Sequence, residues 1–198
     1  MRKQGGRSII GTGTLKRKVL AALPFEPTNS QIVALQEITK DMSSNGRMHR
    51  LLQGDVGSGK TLVALISMLH AVESGAQAAL LAPTEILARQ HLATIEPLAT
   101  AAGINVTLLT GRDKGKKRIE IYEGIANGST DIIIGTHAIF QENIHFKDLI
   151  FVVMDEQHRF GVHQRLALTS KGQNVDILVM TATPIPRTLT LTVYGDME

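Results

Sequence analysis

The 198-residue chain has no cysteine and no tryptophan. The missing cysteines exclude a disulfide framework, a cysteine-ligated metal and a thiol nucleophile. Aromatics make up only 4% of residues, which leaves few platforms on which bases could stack, so any nucleic acid is expected to be tracked through its phosphate backbone. No apolar run approaches the roughly 18 residues that span a bilayer, and the opening "MRKQGGRSII" lacks an apolar core of signal-peptide length. The expectation is a cytoplasmic protein with no membrane partner. His158 and His163 lie near each other without a third ligand at zinc spacing, while His49, His70, His91 and His145 carry no motif.

Charge of one sign is scarce only in sum. The formal net charge is +3, yet six of the 21 basic residues (Arg2, Lys3, Arg7, Lys16, Arg17, Lys18) precede the first acidic one, Glu26. The body then carries 15 basic against 18 acidic residues. Its partner must be read from local patches rather than from overall basicity. Residues 1–22, which include Gly5, Gly6, Gly11 and Gly13, read as a basic flexible arm or linker, either solvated or touching DNA. Residues 23–198 read as one domain with a sizeable core.

Apolar residues at Ile32, Leu35, Ile38 and Met42 recur with a helical period, after capping candidates Thr28 and Ser30. Beyond them, short apolar runs such as "AALLAP", "DIIIGT", "LIFVVMDE" and "DILVMTATP" alternate with longer helical patterns. Continuous apolar runs separated by helices predict parallel strands buried on both faces, hence an α/β, doubly wound, mostly parallel sheet. Ligands of such sheets sit at the carboxyl ends of the strands. Pro97, inside a helical pattern, is expected to kink or divide its helix.

"GDVGSGKT", Gly54 to Thr61, fits G-x-x-x-x-G-K-[ST] after an apolar strand and before an amphipathic helix. Gly54, Gly57, Ser58 and Gly59 belong to a loop whose backbone N–H groups can cradle phosphates at a helix N-terminus. Lys60 should reach the β- and γ-phosphates of ATP, and Thr61 should ligate Mg²⁺. "VVMDEQHRFG" then places Asp155 and Glu156 where a buried strand stops. Unpaired charge is costly there, so both need work to do. Asp155, on a strand expected beside the phosphate-loop strand, suits Mg²⁺ through water. Glu156 is placed to orient and deprotonate the attacking water.

"GDVGSGKT", "DEQH" and "TATPIPRTL" resemble the DExH-box helicases of the second helicase superfamily. The longer strings "LLQGDVGSGKT", "MDEQHRFGVHQR" and "MTATPIPRTL" look most like the RecG-type branch-migration DNA helicases, with the transcription-repair coupling translocases as a close cousin. Outside this class, a P-loop phosphoryl transferase is the alternative. The resemblance spans about Leu23 to Glu198 and implies the first of two RecA-like motor domains of an ATP hydrolase that remodels stalled forks and recombination junctions.

In "LPFEPTNSQ" it implies Phe25 near the adenine and Gln31 as its hydrogen-bond partner, although Pro27 stands where relatives usually have an apolar residue. It implies Thr84, Glu85, Arg89, Gln90, Thr110, Gly111, Gly135, Thr136 and His137 along the nucleic-acid path. From spacing alone, Thr84, Thr110 and Thr136 each read more readily as helix caps. Gln157 and His158 should link the γ-phosphate to Thr181 and Thr183, which couple hydrolysis to domain movement. The basic cluster Arg112, Lys114, Lys116, Lys117 and Arg118 is either a solvated helix start or a phosphate contact. A second motor domain and a DNA wedge domain are implied partners within a full-length chain. Without the second domain's arginine, which contributes about 10³–10⁵ in turnover, slow or absent hydrolysis is expected.

Overall fold

The computed structural model describes residues 5–155 and 174–182. Glu156, Gln157, His158, His163 and Thr183 lie outside them. Six strands form one sheet: β1 (His49–Gln53), β2 (Gln77–Leu81), β3 (Val106–Leu109), β4 (Ile132–Gly135), β5 (Leu149–Asp155) and β6 (Asp176–Thr181). All pairings are parallel, in the order β1-β6-β5-β2-β4-β3.

The strand period of two sends alternate side chains to opposite faces. Ala78, Leu80, Ile132, Ile134, Phe151, Val153, Leu178 and Met180 join one core. Helices α1 (Thr14–Ala22), α2 (Asn29–Met42), α3 (Lys60–Glu73) and α4 (Glu85–Ala102) contribute to the same core. Ala79, Leu81, Ile133, Val152, Met154 and Val179 join a second core with α5 (Gly115–Asn127) and a 3₁₀ turn, His137–Phe140. Both faces are therefore covered, as the near-continuous apolar runs require. No helix among the described residues is long and apolar enough to cross a membrane.

Three local expectations change. Residues 5–22 do not form a free arm. Ile9 is 1% exposed and its N–H donates to Met42 O at 2.8 Å. Residues 14–22 form α1, which packs against α3 and α4 and buries Val19. Glu73 caps α1, accepting from Gly13 N at 2.7 Å and also from Leu15 N. Leu15, Val19, Leu20 and Leu23 supply the apolar stripe that the glycines and cations obscured. Second, β6 lies between β1 and β5, so Asp155 does not end a strand beside the phosphate-loop strand. Third, α4 runs undivided through Pro97.

Asp176, at the amino end of β6, is 1% exposed. One carboxyl oxygen accepts from Met48 N at 2.7 Å, while Oδ2 has no hydrogen-bond partner among the described residues. Burial pushes this carboxyl up to about 7, with Met48 N–H opposing, Asp41 reinforcing and Arg47 opposing. Because the folded-state value exceeds the unfolded one, the folded chain binds the extra proton. That stability is present below about pH 4 and is lost as pH rises through about 7. Denaturation at pH 5 and pH 8 should show the wild type weaker at pH 8 by about 2–3 kcal/mol from this group. Asp176→Asn should shrink that gap, and an unchanged gap would assign the slope elsewhere.

Candidate nucleotide and nucleic-acid site

The predicted functional residues that are described converge on the carboxyl edge of the sheet. Strand β1 ends at Gln53, in register with Thr181 of β6, and Gly54 N donates to Thr181 O at 3.2 Å. Thr181 is thus fastened to the first residue of the phosphate loop. Gly57 and Gly59 have φ of 81° and 78°, the left-handed region that only glycine enters readily. Gly59 is the N-cap of α3. Lys60 Nζ donates to Gly54 O and Asp55 O, each at 2.7 Å, so the lysine is bonded to its own loop. Thr61 lies in the first turn of α3 beside it.

Thr28 and Gln31 form a reciprocal capping box at the start of α2. Thr28 N donates to Gln31 Oε1 at 2.9 Å, and Gln31 Nε2 donates to Ser58 O at 2.9 Å. Both polar ends of Gln31 are engaged, and its role here is to tie α2 to the phosphate loop. Phe25 is 56% exposed and lines a largely apolar cleft of about 480 Å³ with Leu23, Gly59, Thr61, Leu65 and Leu98. This cleft adjoins Lys60, and its apolar lining suits a heterocyclic base.

Asp155 stands two strands from β1, at the end of β5. Its carboxylate is bonded to His91 Nε2 at 2.6 Å, with side-chain exposures of 15% and 11%. A carboxylate only accepts, so Nε2 carries the proton. Residue-level reading missed His91. Its signal was a position three residues after Ala88 and four before Ile95, both buried, which puts it on the core-facing side of α4.

Along the edge expected to carry nucleic acid the predicted residues divide. Thr84 caps α4, its Oγ1 accepting from Leu87 N at 3.3 Å. Glu85 accepts from Arg89 at 2.8 Å and pairs with Arg112 at 3.2 Å, which brings α4 and the β3–α5 loop together. Arg89, Gln90, Gly111 and Arg112 are exposed. Thr110 is fully buried, and its N–H and hydroxyl both donate to Asp113 Oδ2, at 2.8 and 3.1 Å. Burial alone would push Asp113 up, but Thr110 and Lys117 together hold its carboxyl below the usual range. Thr110 therefore organises the loop from within.

Gly135 is buried, and an added Cβ would run into Leu109 O on the neighbouring strand. Its glycine serves the β3–β4 approach. Thr136 is 6% exposed, whereas His137 is exposed. Arg118 bonds Asp113 O at 3.0 Å and lies over the Tyr122 ring at 5.2 Å. It is thereby drawn out of the basic cluster. Lys117 pairs with Asp113 and Lys116 with Glu120, whereas Arg112 reaches from an 84% exposed position.

A loop with a lysine that can cradle phosphates, a carboxylate two strands away and an exposed polar edge define a P-loop nucleotide-binding fold. The DEAD/DEAH box helicase family profile matches residues 28–192, and the chain belongs to that family. It is 54% identical over 189 residues to the ATP-dependent DNA helicase RecG of Escherichia coli (strain K12), covering 93% of this chain and 27% of that protein. The Bacillus subtilis (strain 168) RecG is 53% identical, with 98% and 28% covered. The chain thus spans about a quarter of the length of these relatives.

A solved RecG bound to a three-way DNA junction is 46% identical with a TM-score of 0.85, covering 96% of this chain and 26% of that one. A structure of S. cerevisiae Dbp5 bound to RNA and ADP BeF3, 18% identical with a TM-score of 0.68, covers 94% and 49% and shares the fold. The helicase match sets aside the phosphoryl-transferase alternative.

A Cβ at Gly59 would require a left-handed non-glycine residue and would collide with Gln31 Nε2. Gly59→Ala should destabilise the chain by about 1–3 kcal/mol and weaken binding of a fluorescent ATP analogue. Adding Gln31→Ala should restore part of the loss, because the collision is then relieved. Strict additivity in melting and binding experiments would refute the contact.

Proposed function

We propose that the chain is the first RecA-like motor domain of a RecG-type ATP-dependent DNA helicase that remodels branched DNA in the cytoplasm. The observation that carries this reading is the meeting of three features on one sheet edge. They are the phosphate loop fastened to Thr181, the Asp155 carboxylate, and the exposed Arg89, Gln90, Gly111 and Arg112. The relatives' identity supports it.

ATP would place its base in the cleft beside Phe25, with its phosphates on the N–H groups of the Gly54–Gly59 loop. Lys60 would exchange the Gly54 and Asp55 carbonyls for the β- and γ-phosphates. The donor set fits Mg²⁺, a hard cation that prefers oxygen: the Thr61 hydroxyl and the Asp155 carboxylate, one of whose oxygens has no partner among the described residues. When bound, that ion would neutralise charge developing on the transferred phosphoryl group. Glu156 would orient and deprotonate water, while Gln157 and His158 would sense the γ-phosphate. Thr181 and Thr183 would pass that state to a second motor domain.

On the nucleic-acid edge, Thr84, Arg89, Gln90, Gly111 and Thr136 would follow the phosphate backbone. Thr110 and Gly135 would hold that edge in shape. A phosphate arriving there would compete with Glu85 for Arg89 and Arg112. Those exposed ion pairs are weak enough to exchange.

Phosphate release should be measured on the full-length protein carrying this domain, with and without a three-way DNA junction. The junction should raise turnover, and Glu156→Gln should lower it at least about 100-fold while ATP still binds. Lys60→Ala should remove ATP binding. The isolated chain should turn over slowly. Indifference to DNA, or full turnover by the Glu156→Gln protein, would defeat the proposal.

A further inference from the structure

We propose that His91 is a positioning residue. It holds the Asp155 carboxylate for the metal and makes α4 the element through which the nucleic-acid edge and the nucleotide site act on each other. The inference rests on the ATP-site reading above.

His91 is the only hydrogen-bond partner of the Asp155 side chain among the described residues, at 2.6 Å. Both groups are largely enclosed, so the bond is little screened and the carboxylate has little freedom to turn. With Oδ2 fixed by the imidazole, the other oxygen is left in a defined direction. This is how outer-shell partners orient a metal-binding carboxylate.

The helix that carries His91 touches three places. Its first residue, Glu85, pairs with Arg89 one turn on and with Arg112 on the neighbouring loop. Two turns on, about 10 Å along the axis from Thr84, His91 meets Asp155. One to two further turns bring Thr94, Ile95 and Leu98 to the wall of the cleft beside Phe25 and Thr61. Ala88, Ile95, Ala99 and Ala102 anchor the helix in the core, and it packs on β3, β4, α1 and α3. A helix so held moves as a rigid piece, and a displacement at Glu85 or Arg89 reaches the carboxylate through one hydrogen bond.

The test is the Mg²⁺ dependence of fluorescent ATP-analogue binding to the chain, with EDTA as the metal-free arm. His91→Ala should raise the Mg²⁺ midpoint roughly 10-fold, the scale of an outer-shell loss, and leave binding in EDTA unchanged. His91→Gln, which can return an N–H to the carboxylate, should recover part of the shift and provides a second variant should alanine unfold the chain. A merely structural histidine would weaken binding equally with and without Mg²⁺. That result, or an unmoved midpoint in both variants, would overturn the positioning role.

Adding a three-way DNA junction should move the wild-type midpoint and not that of His91→Ala. No movement in the wild type, or equal movement in both, would overturn the coupling role. A wild type that binds no nucleotide under any condition would instead fail the ATP reading and take this inference with it.

Discussion

Strand β5 is enclosed along six residues, Leu149 to Met154, and then delivers a carboxylate to the sheet's edge. Everything else in the fold answers to that burial. A strand covered on both faces cannot sit in a sheet with one wet side, so helices must lie on both, and parallel strands joined by helices meet that requirement. Parallel order in turn gathers all the carboxyl ends on one edge. The phosphate loop after β1, Thr84 after β2, Gly111 after β3, Thr136 after β4 and Asp155 on β5 come together there because the apolar strands were given no alternative.

The phosphate loop is built with little slack. Two left-handed glycines, a Gly59 position where an added Cβ would meet the Gln31 amide, and that amide held by a capping box fix its path. Against that rigid frame Lys60 is the adaptable element, satisfied by the loop's own carbonyls. An ammonium with three donors can trade two carbonyls for phosphate oxygens, and the bonds to an anion are the stronger ones. The site thus spends most of its ordering in the backbone and leaves the exchange to one side chain.

Much of this was legible in residues whose meaning is local. Apolar runs bounded by turn residues foretold parallel strands, Thr28 foretold the start of α2, and "GDVGSGKT" foretold the loop after β1. What escaped depended on partners distant in the chain. The stripe of Leu15, Val19, Leu20 and Leu23 acquires meaning only because α3 and α4 offer a surface and Glu73 offers a cap 60 residues away from Gly13. Strand order is non-local as well, and β6 between β1 and β5 could not be read from either neighbour. Thr110 was read at the carboxyl edge and Gly135 along the nucleic-acid path, yet Asp113 holds the one and the Leu109 carbonyl packs against the other.

His91 illustrates the limit most clearly. In the linear chain it is a histidine between Gln90 and Leu92 with no motif of its own, and its partner lies 64 residues away. Only the folded packing of α4, which carries its side chain to the end of β5, makes it a neighbour of Asp155. A carboxylate at the end of a buried strand must have a donor, a metal or water, because leaving it bare is costly. The sequence called for Mg²⁺ as the partner of Asp155, whereas the partner among the described residues is an imidazole. That partner came from the helix that also carries Glu85 and Arg89, so the requirement that a buried charge be satisfied ties the end of β5 to that helix.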